Sequence, residues 1–200
     1  LWGRAFPVIK IGYKFFNISG VDTASQILFA GVRFLIAGFL TILLGSIFAD
    51  KFIVIKKKEN FKKIGILAIF QTILQYVFFY VGLAHTTGTK SSVLDSTSVF
   101  FAVLISCLIF KMEKLSVNKI IGCIIGFAGV VLINITPGVS LGSFKFNGEG
   151  FIIISALSYA FSSVLVSNYS KDESPVALSG YQFMLGGGVM IIAGLLFGGR

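Results

Sequence analysis

Charge is what this sequence has least of. Asp, Glu, Lys and Arg make up 12% of it, against about a quarter of a typical soluble domain. Acidic residues number only eight in 200. With 56% of residues hydrophobic, there is too little polar surface to cover a soluble domain of this size. Histidine occurs once, at His85, and a His-Glu-x-x-His motif is absent. Gly138-Val139-Ser140-Leu141-Gly142 has the Gly-x-Ser-x-Gly spacing but falls in a loop between two apolar spans rather than at a strand-to-helix turn, so it does not read as a nucleophile elbow. Zinc hydrolysis and serine-nucleophile chemistry are therefore not indicated, and the chain is not expected to be an enzyme. The two cysteines, Cys107 and Cys123, both fall inside apolar runs, which argues against a disulfide framework or a metal site. A phosphate-binding P-loop is also missing, so neither ATP nor any other cofactor is implied.

What is present is a series of long apolar runs. Residues 24–49 hold a single charge, Arg33, and residues 64–84 hold none. A helix rising about 1.5 Å per residue needs roughly 20 such residues to cross about 30 Å of hydrocarbon. Seven spans can be read, at 1–16, 24–48, 64–84, 91–110, 117–134, 150–169 and 176–197, which predicts an all-α membrane protein. The net charge of +9 does not indicate nucleic acid, because ten of the 17 basic residues lie in three short loops. Residues 50–63 carry six lysines, 111–119 carry Lys111, Lys114 and Lys119, and 170–175 carries Lys171. The alternate loops hold only Lys90, Lys145 and Arg200, or a fourth charge if Lys14 is included. Positive loops resist translocation, so this bias puts 50–63 and 111–119 in the cytoplasm, with the amino terminus on the same side. The same lysines would attract anionic lipid at about 1 kcal/mol each. Trp2, Arg4 and Lys10 interrupt the first run and no small-residue cleavage site follows, so no cleavable signal peptide is expected. The chain starts at Leu1 inside one apolar stretch and stops at Arg200 just after another, as a fragment would.

The Gly-, Pro- and Ser-containing stretch 135–148 reads as a joint between 1–134 and 149–200. Across it the sequence weakly repeats. Ala30-Gly31-Val32-Arg33-Phe34 with Ala37-Gly38 lines up with Ser179-Gly180-Tyr181-Gln182-Phe183 and Gly186-Gly187. Trp2-Gly3 can be matched to Tyr159-Ala160. Five spans precede the joint, and an odd number inverts the second copy relative to the first. Inverted repeats with a substrate site between them are an architecture of secondary transporters.

These residues resemble a family. Trp2-Gly3 with Phe6 and Lys10, and Arg33-Phe34 with Ala37, are similar to the first two helices of EamA-like transporters of the drug/metabolite transporter superfamily. The most specific stretch runs from Gly82-Leu83-Ala84 through Lys90-Ser91-Ser92-Val93-Leu94 and Val99–Leu104. It continues through Glu113-Lys114-Leu115-Ser116 and Lys119-Ile120-Ile121-Gly122 to Gly126–Ile133. The resemblance implies ten helices in two inverted five-helix repeats. On that reading 1–134 is a first repeat lacking the start of its first helix, 149–200 begins a truncated second, and about seven of ten helices are here. Two residues depart from the pattern. Arg4 stands where the family has a small or hydroxyl residue, and Ser98 replaces a common proline, which removes the kink expected of the fourth helix.

Asp95 is the sharpest candidate for function. It lies about one turn inside the fourth span among Ser91, Ser92, Ser96 and Ser98, where an ionisable group costs roughly 2.5–3.5 kcal/mol and should face protein or a wet cavity. A carboxylate so placed can take up and release a proton as the cavity opens to alternate sides. The plainer alternative is an ion pair with Lys90 or Arg33. Arg33 is read as a structural intramembrane charge, capping carbonyls or pairing with a carboxylate. Lys10 is a candidate partner for an anionic substrate group, while Lys14 snorkels. Gln71 and Gln75 stack one turn apart beside Tyr76 and Tyr80, either bridging helices or lining a cavity. Tyr159 with Ser155, Ser158, Ser162 and Ser163 gives the sixth span a polar side. Gly122 and Gly126 have the spacing of close packing within the bundle, with a homodimer seam as the alternative.

The substrate cavity is thus assigned Lys10, Gln71, Gln75, Tyr76, Asp95 and Tyr159. The expected function is alternating-access transport of a small organic solute across the plasma membrane, with proton coupling through Asp95 left open. A channel or a non-transporting scaffold is the alternative, although a filter signature is not visible.

Overall fold

The computed structural model describes residues 11–18, 22–55, 58–86, 88–134 and 145–199. Arg4, Lys10 and most of the 135–148 joint lie outside them. All regular structure among the described residues is helical. α1 is helical over 11–15, and α2 is Thr23–Phe48. α3 runs through Lys58–Leu67, a widened stretch Ala68–Leu74 with i→i+5 bonding, and Gln75–His85. α4 comprises Gly88–Ser96, Ser98–Leu104 and a widened end, Ile105–Ile109. α5 is Val117–Asn134, α6 is Phe146–Gly150 continuing as Phe151–Tyr169, and α7 is Pro175–Leu196.

Among the described residues five stretches are long and apolar enough to cross a membrane: Thr23–Phe48, Glu59–Leu83, Lys90–Ile109, Phe146–Tyr169 and Pro175–Leu196. In α5, the apolar part Val117–Gly129 is shorter. Local sequence explains the ends. Asp22 caps α2 by accepting from the Ser25 amide at 3.0 Å and the Ser25 hydroxyl at 2.5 Å. Pro175 opens α7, where its missing N–H costs nothing. Asn17, Asp50 and Lys111 follow α1, α2 and α4 in left-handed conformation, which stops each helix without a glycine.

Three expectations are corrected. α3 starts at Lys58 rather than near residue 64, because its first turns are held by polar partners instead of lipid: Asn60 donates to Glu173, and Lys63 pairs with Asp172 at 3.1 Å. α4 does not run unbroken past Ser98. It is interrupted at Thr97, whose hydroxyl and amide both bond the Leu94 carbonyl, at 2.5 and 3.1 Å, tightening the turn that a proline would have bent. Of the Gly122–Gly126 pair only Gly126 packs within the bundle, where an added Cβ would lie 3.4 Å from the Phe100 ring of α4; one at Gly122 would meet nothing within 4 Å, and its neighbours Ile120, Ile121, Ile124 and Ile125 are exposed.

The bundle is organised by α2 and α7. They run antiparallel and touch backbone to backbone. An added Cβ at Gly38 would sit 2.6 Å from the Gly180 carbonyl oxygen, and one at Gly187 would sit 2.7 Å from that of Gly31. Gly31, Phe34 and Gly38 correspond in the sequence repeat to Gly180, Phe183 and Gly187, so exchanging the two helices maps these contacts onto each other. Phe34 and Phe183 meet at the centre, with ring centroids 5.4 Å apart. That is pseudo-two-fold symmetry between inverted helices. Because lipid supplies little hydrophobic drive between helices, small residues that let backbones approach are what makes such a seam tight.

α3 packs against this pair and against α6. It runs antiparallel to α6, where Ser155 and Ser158 hydroxyls donate to the Gln75 and Phe70 carbonyls at 2.8 and 2.6 Å. Against α7 it runs parallel, through Gln71–Gln182 and the cluster Ile55, Ile64, Leu67, Leu165 and Leu178.

The seam can be tested with paired glycine substitutions. Gly38→Ala should destabilise the protein by about 1–3 kcal/mol through overpacking. Gly188→Ala, in open space on the same α7, should be neutral or stabilising by about 0.5 kcal/mol. Thermal unfolding of the purified variants reads both, and equal shifts would mean that the seam is loose.

Candidate functional site

Aromatic side chains from α2, α3 and α7 meet beside the seam. Phe34 lies 4.6 Å from Tyr76 and 5.4 Å from Phe183, and Tyr76 lies 6.2 Å from Tyr80, centroid to centroid. Tyr13 of α1 and Met190 of α7 complete the cluster. The Tyr13 and Tyr80 phenols lie close together, yet neither hydroxyl makes a well-formed hydrogen bond.

Tyr76 lies within electrostatic range of Arg33, Asp95 and Tyr159, and so links α2, α3, α4 and α6. Arg33 lies over the Phe34 ring at 5.4 Å, a cation–π contact. Its guanidinium forms no ion pair among the described residues. Asp95 is half-buried and makes no hydrogen bond or ion pair among them. Lys90, considered as its partner, instead pairs with Glu149 at 3.4 Å. Ser91 beside Asp95 is buried with a free hydroxyl, while Ser96 turns back to the Ser92 carbonyl at 2.7 Å.

The other residues read from the sequence divide by role. Gln71 bridges helices, accepting from Gln182 Nε2 at 2.9 Å. Gln75 is buried, with its Oε1 unpartnered. Ser155 and Ser158 hold α6 to α3, and Ser162 bonds the Tyr159 carbonyl at 2.8 Å. Ser163 lies elsewhere, in a cavity of about 570 Å³ between α4, α5 and α6. Both cysteines and the Glu113–Lys119 ion pair also border that cavity. Outside the membrane-spanning segments, the hydrogen bond from Lys119 holds the Glu113 carboxyl below its ordinary range.

Sequence reasoning missed Glu149 and Gln182. Glu149 is a second carboxylate within a spanning stretch and is only 7% exposed. It accepts from the Thr86 hydroxyl at 2.9 Å, the Lys145 amide at 2.8 Å and Lys90, so it ties the start of α6 to α3 and α4. Its place beside the loop made it look like a solvated residue. Gln182, fully buried, stands where the repeat places Arg33 in the first copy; that alignment was the available signal.

A helical membrane protein whose α2 and α7 form an inverted, symmetry-related pair has an architecture found among secondary transporters. The family model of the EamA-like transporter family matches residues 1–135, and the chain belongs to that family. It is 30% identical to an uncharacterized transporter of Archaeoglobus fulgidus over 91% of this chain and 50% of that one. It is 27% identical to the uncharacterized inner membrane transporter YedA of Escherichia coli over 99% of this chain and 60% of that protein. It is 25% identical to the uncharacterized transporter YvbV of Bacillus subtilis, over 97% and 59% respectively. The chain thus spans about half to three-fifths of the length of these relatives. No solved structure matches it.

The Glu149 latch makes a measurable prediction. Glu149→Ala removes the carboxylate from a lysine that is only 18% exposed, and should cost about 3 kcal/mol. Lys90→Met with Glu149→Leu should cost less than either single change. By contrast Asp172→Asn, at a 66% exposed partner of Lys63, should cost less than about 1 kcal/mol. Thermal unfolding of Glu149→Ala, Asp172→Asn, the Lys90→Met/Glu149→Leu double change and its two single changes tests the contrast.

Proposed function

We propose that this chain is part of a secondary transporter that moves a small organic solute or metabolite across the cytoplasmic membrane by alternating access. The observation that carries the reading is Asp95: a half-buried carboxylate inside a membrane span, without a hydrogen-bond or ion-pair partner among the described residues, in electrostatic range of Tyr76. An unpaired intramembrane charge is expensive, and is retained where a ligand or proton uses it. The substrate cavity is assigned to Asp95, Tyr76, Tyr159, Gln71, Gln75 and Lys10. Contacts between the halves at both ends of α3, Lys63–Asp172 with Asn60–Glu173 at one and Glu149 with Lys90 and Thr86 at the other, are what alternating access would break in turn.

In this reading Asp95 carries the coupling proton and Arg33 stays with the protein as a fixed charge. Reconstituted in proteoliposomes, the full-length protein should show saturable uptake of one member of a solute panel, driven by a proton gradient. Asp95→Asn should abolish accumulation against the gradient while leaving exchange partly intact. Uphill transport by Asp95→Asn at the wild-type rate would remove Asp95 from coupling, and flux that never saturates would favour a channel.

Orientation follows the lysines, with residues 50–63 cytoplasmic, 135–148 external and the amino terminus cytoplasmic. Single cysteines introduced into each loop of a cysteine-free variant should react with an impermeant thiol reagent on intact cells at 135–148 and not at 50–63. The reverse pattern would invert the topology.

A further inference from the structure

Three oxygen atoms near the widened stretch of α3 have no partner among the described residues. Thr72 Oγ1, Gln75 Oε1 and Gln182 Oε1 are all inaccessible and all without a hydrogen bond. Their residues are 0%, 7% and 0% exposed. Leaving one such group unsatisfied costs about 1–3 kcal/mol, and native structures rarely leave several together. Gly186 ties Thr72 and Gln182 to one region, and Gln75 follows on the Gln71 face of α3. Thr72 presses on Gly186, where an added Cβ would lie 2.6 Å from the Thr72 Cβ. Gln182 is one turn before Gly186 on α7 and uses its nitrogen on Gln71, leaving its oxygen free. Gln75 is one turn beyond Gln71 on α3, and residues three or four apart share a helix face.

We infer that Thr72, Gln75 and Gln182 form a subsite for a compact monovalent cationic group. The two amide oxygens can only accept, and the hydroxyl oxygen can accept as well. What they lack is a species that is positive or donates hydrogen bonds. The absence of a carboxylate among the three favours a monovalent over a divalent cation, since calcium and magnesium sites rely on carboxylates. An alkali cation fits, and so does a primary ammonium, whose three N–H donors match three acceptors. The backbone supports the same assignment. The regular ladder of α3 is interrupted over Ala68–Leu74, and interrupted helices recur at functional sites and at the ion sites of transporters. The inference rests on the transporter reading for the route by which a ligand reaches so buried a place, but binding itself can be measured without transport.

The test is a thermal-unfolding series on the purified full-length protein in sodium, potassium, methylammonium or N-methyl-D-glucamine chloride at equal ionic strength. A small cation that binds should raise Tm saturably, by about 2–4 °C at ten times its Kd, while N-methyl-D-glucamine should not. A rise with sodium or potassium alone assigns an inorganic ion; a rise with methylammonium alone assigns the ammonium head of a solute. Gln182→Leu and Thr72→Val should each abolish the rise. Should either variant fail to fold, the wild-type series still decides. Identical Tm values in all four salts mean an ordered water only, and overturn the inference. Saturable solute uptake without any cation effect on Tm would remove this subsite and leave the transporter reading standing. A cation-dependent Tm in a protein that transports nothing would do the reverse.

Discussion

The close approach of α2 and α7 is the contact from which the rest of the arrangement follows. Gly31, Gly38 and Gly45 recur every seven residues on α2, and Gly180, Gly187 and Gly194 do so on α7. Seven residues are close to two helical turns, so each set lies along one face. Antiparallel, the sets interlock: Gly31 with Gly187, Gly38 with Gly180, Gly45 against Val176 and Gly194 against Leu28. Larger residues on these faces would push the helices apart and open the space that Phe34 and Phe183 now fill. The seam therefore fixes both the distance between the halves and the place where the aromatic cluster forms.

Around that axis α3 acts as the common wall. Its widened stretch departs from the regular ladder, and α6 serines donate to one carbonyl inside it, at Phe70, and to one just beyond it, at Gln75. In a bilayer no water is available to take up a freed carbonyl, so an interrupted helix is tolerated only where protein or a wet cavity replaces the lost bonds. The serines read as a polar lining are thus largely spent on holding α6 to α3. The groups left for a ligand are fewer: Asp95, Arg33, the phenols and the free amide oxygens. This sorting is a consequence of hydrogen-bond bookkeeping, which a list of polar residues does not contain.

Five of the spans, their order and the helical class of the described residues were legible because about 20 consecutive apolar residues admit one solution in lipid. The inversion was legible from Arg33-Phe34 against Gln182-Phe183, and the structure puts Phe34 and Phe183 in contact at the pseudo-axis. Three features were not legible for separate physical reasons. The start of α3 is amphipathic and held by Glu173 and Asp172, more than 100 residues away, so local hydropathy ends too late at residue 64. The break at Thr97 arises from a hydroxyl competing for its own helix's carbonyl, which a threonine does in only some contexts. Glu149 looks like a loop acid until the fold brings Thr86 and Lys90 to it. The glycine heptads, in contrast, were present in the sequence, and a search for small residues at seven-residue spacing would have found the seam.

Symmetry also explains why the site is polarised. The two-fold relating α2 to α7 would, with identical repeats, place the same side chain on both sides of the axis. Here the matched positions hold Arg33 and Gln182. One is a fixed guanidinium stacked on Phe34; the other is a neutral amide, fully buried and bonded to Gln71. An arginine at the fully buried Gln182 position would add a second charge in a medium of low dielectric, where an unpaired charge costs far more than in water. Divergence at this one pair of positions avoids that cost and leaves a single positive charge on the helix pair. The inverted pair thereby carries charge on one side only, while keeping the glycine contacts that make α2 and α7 interchangeable in shape.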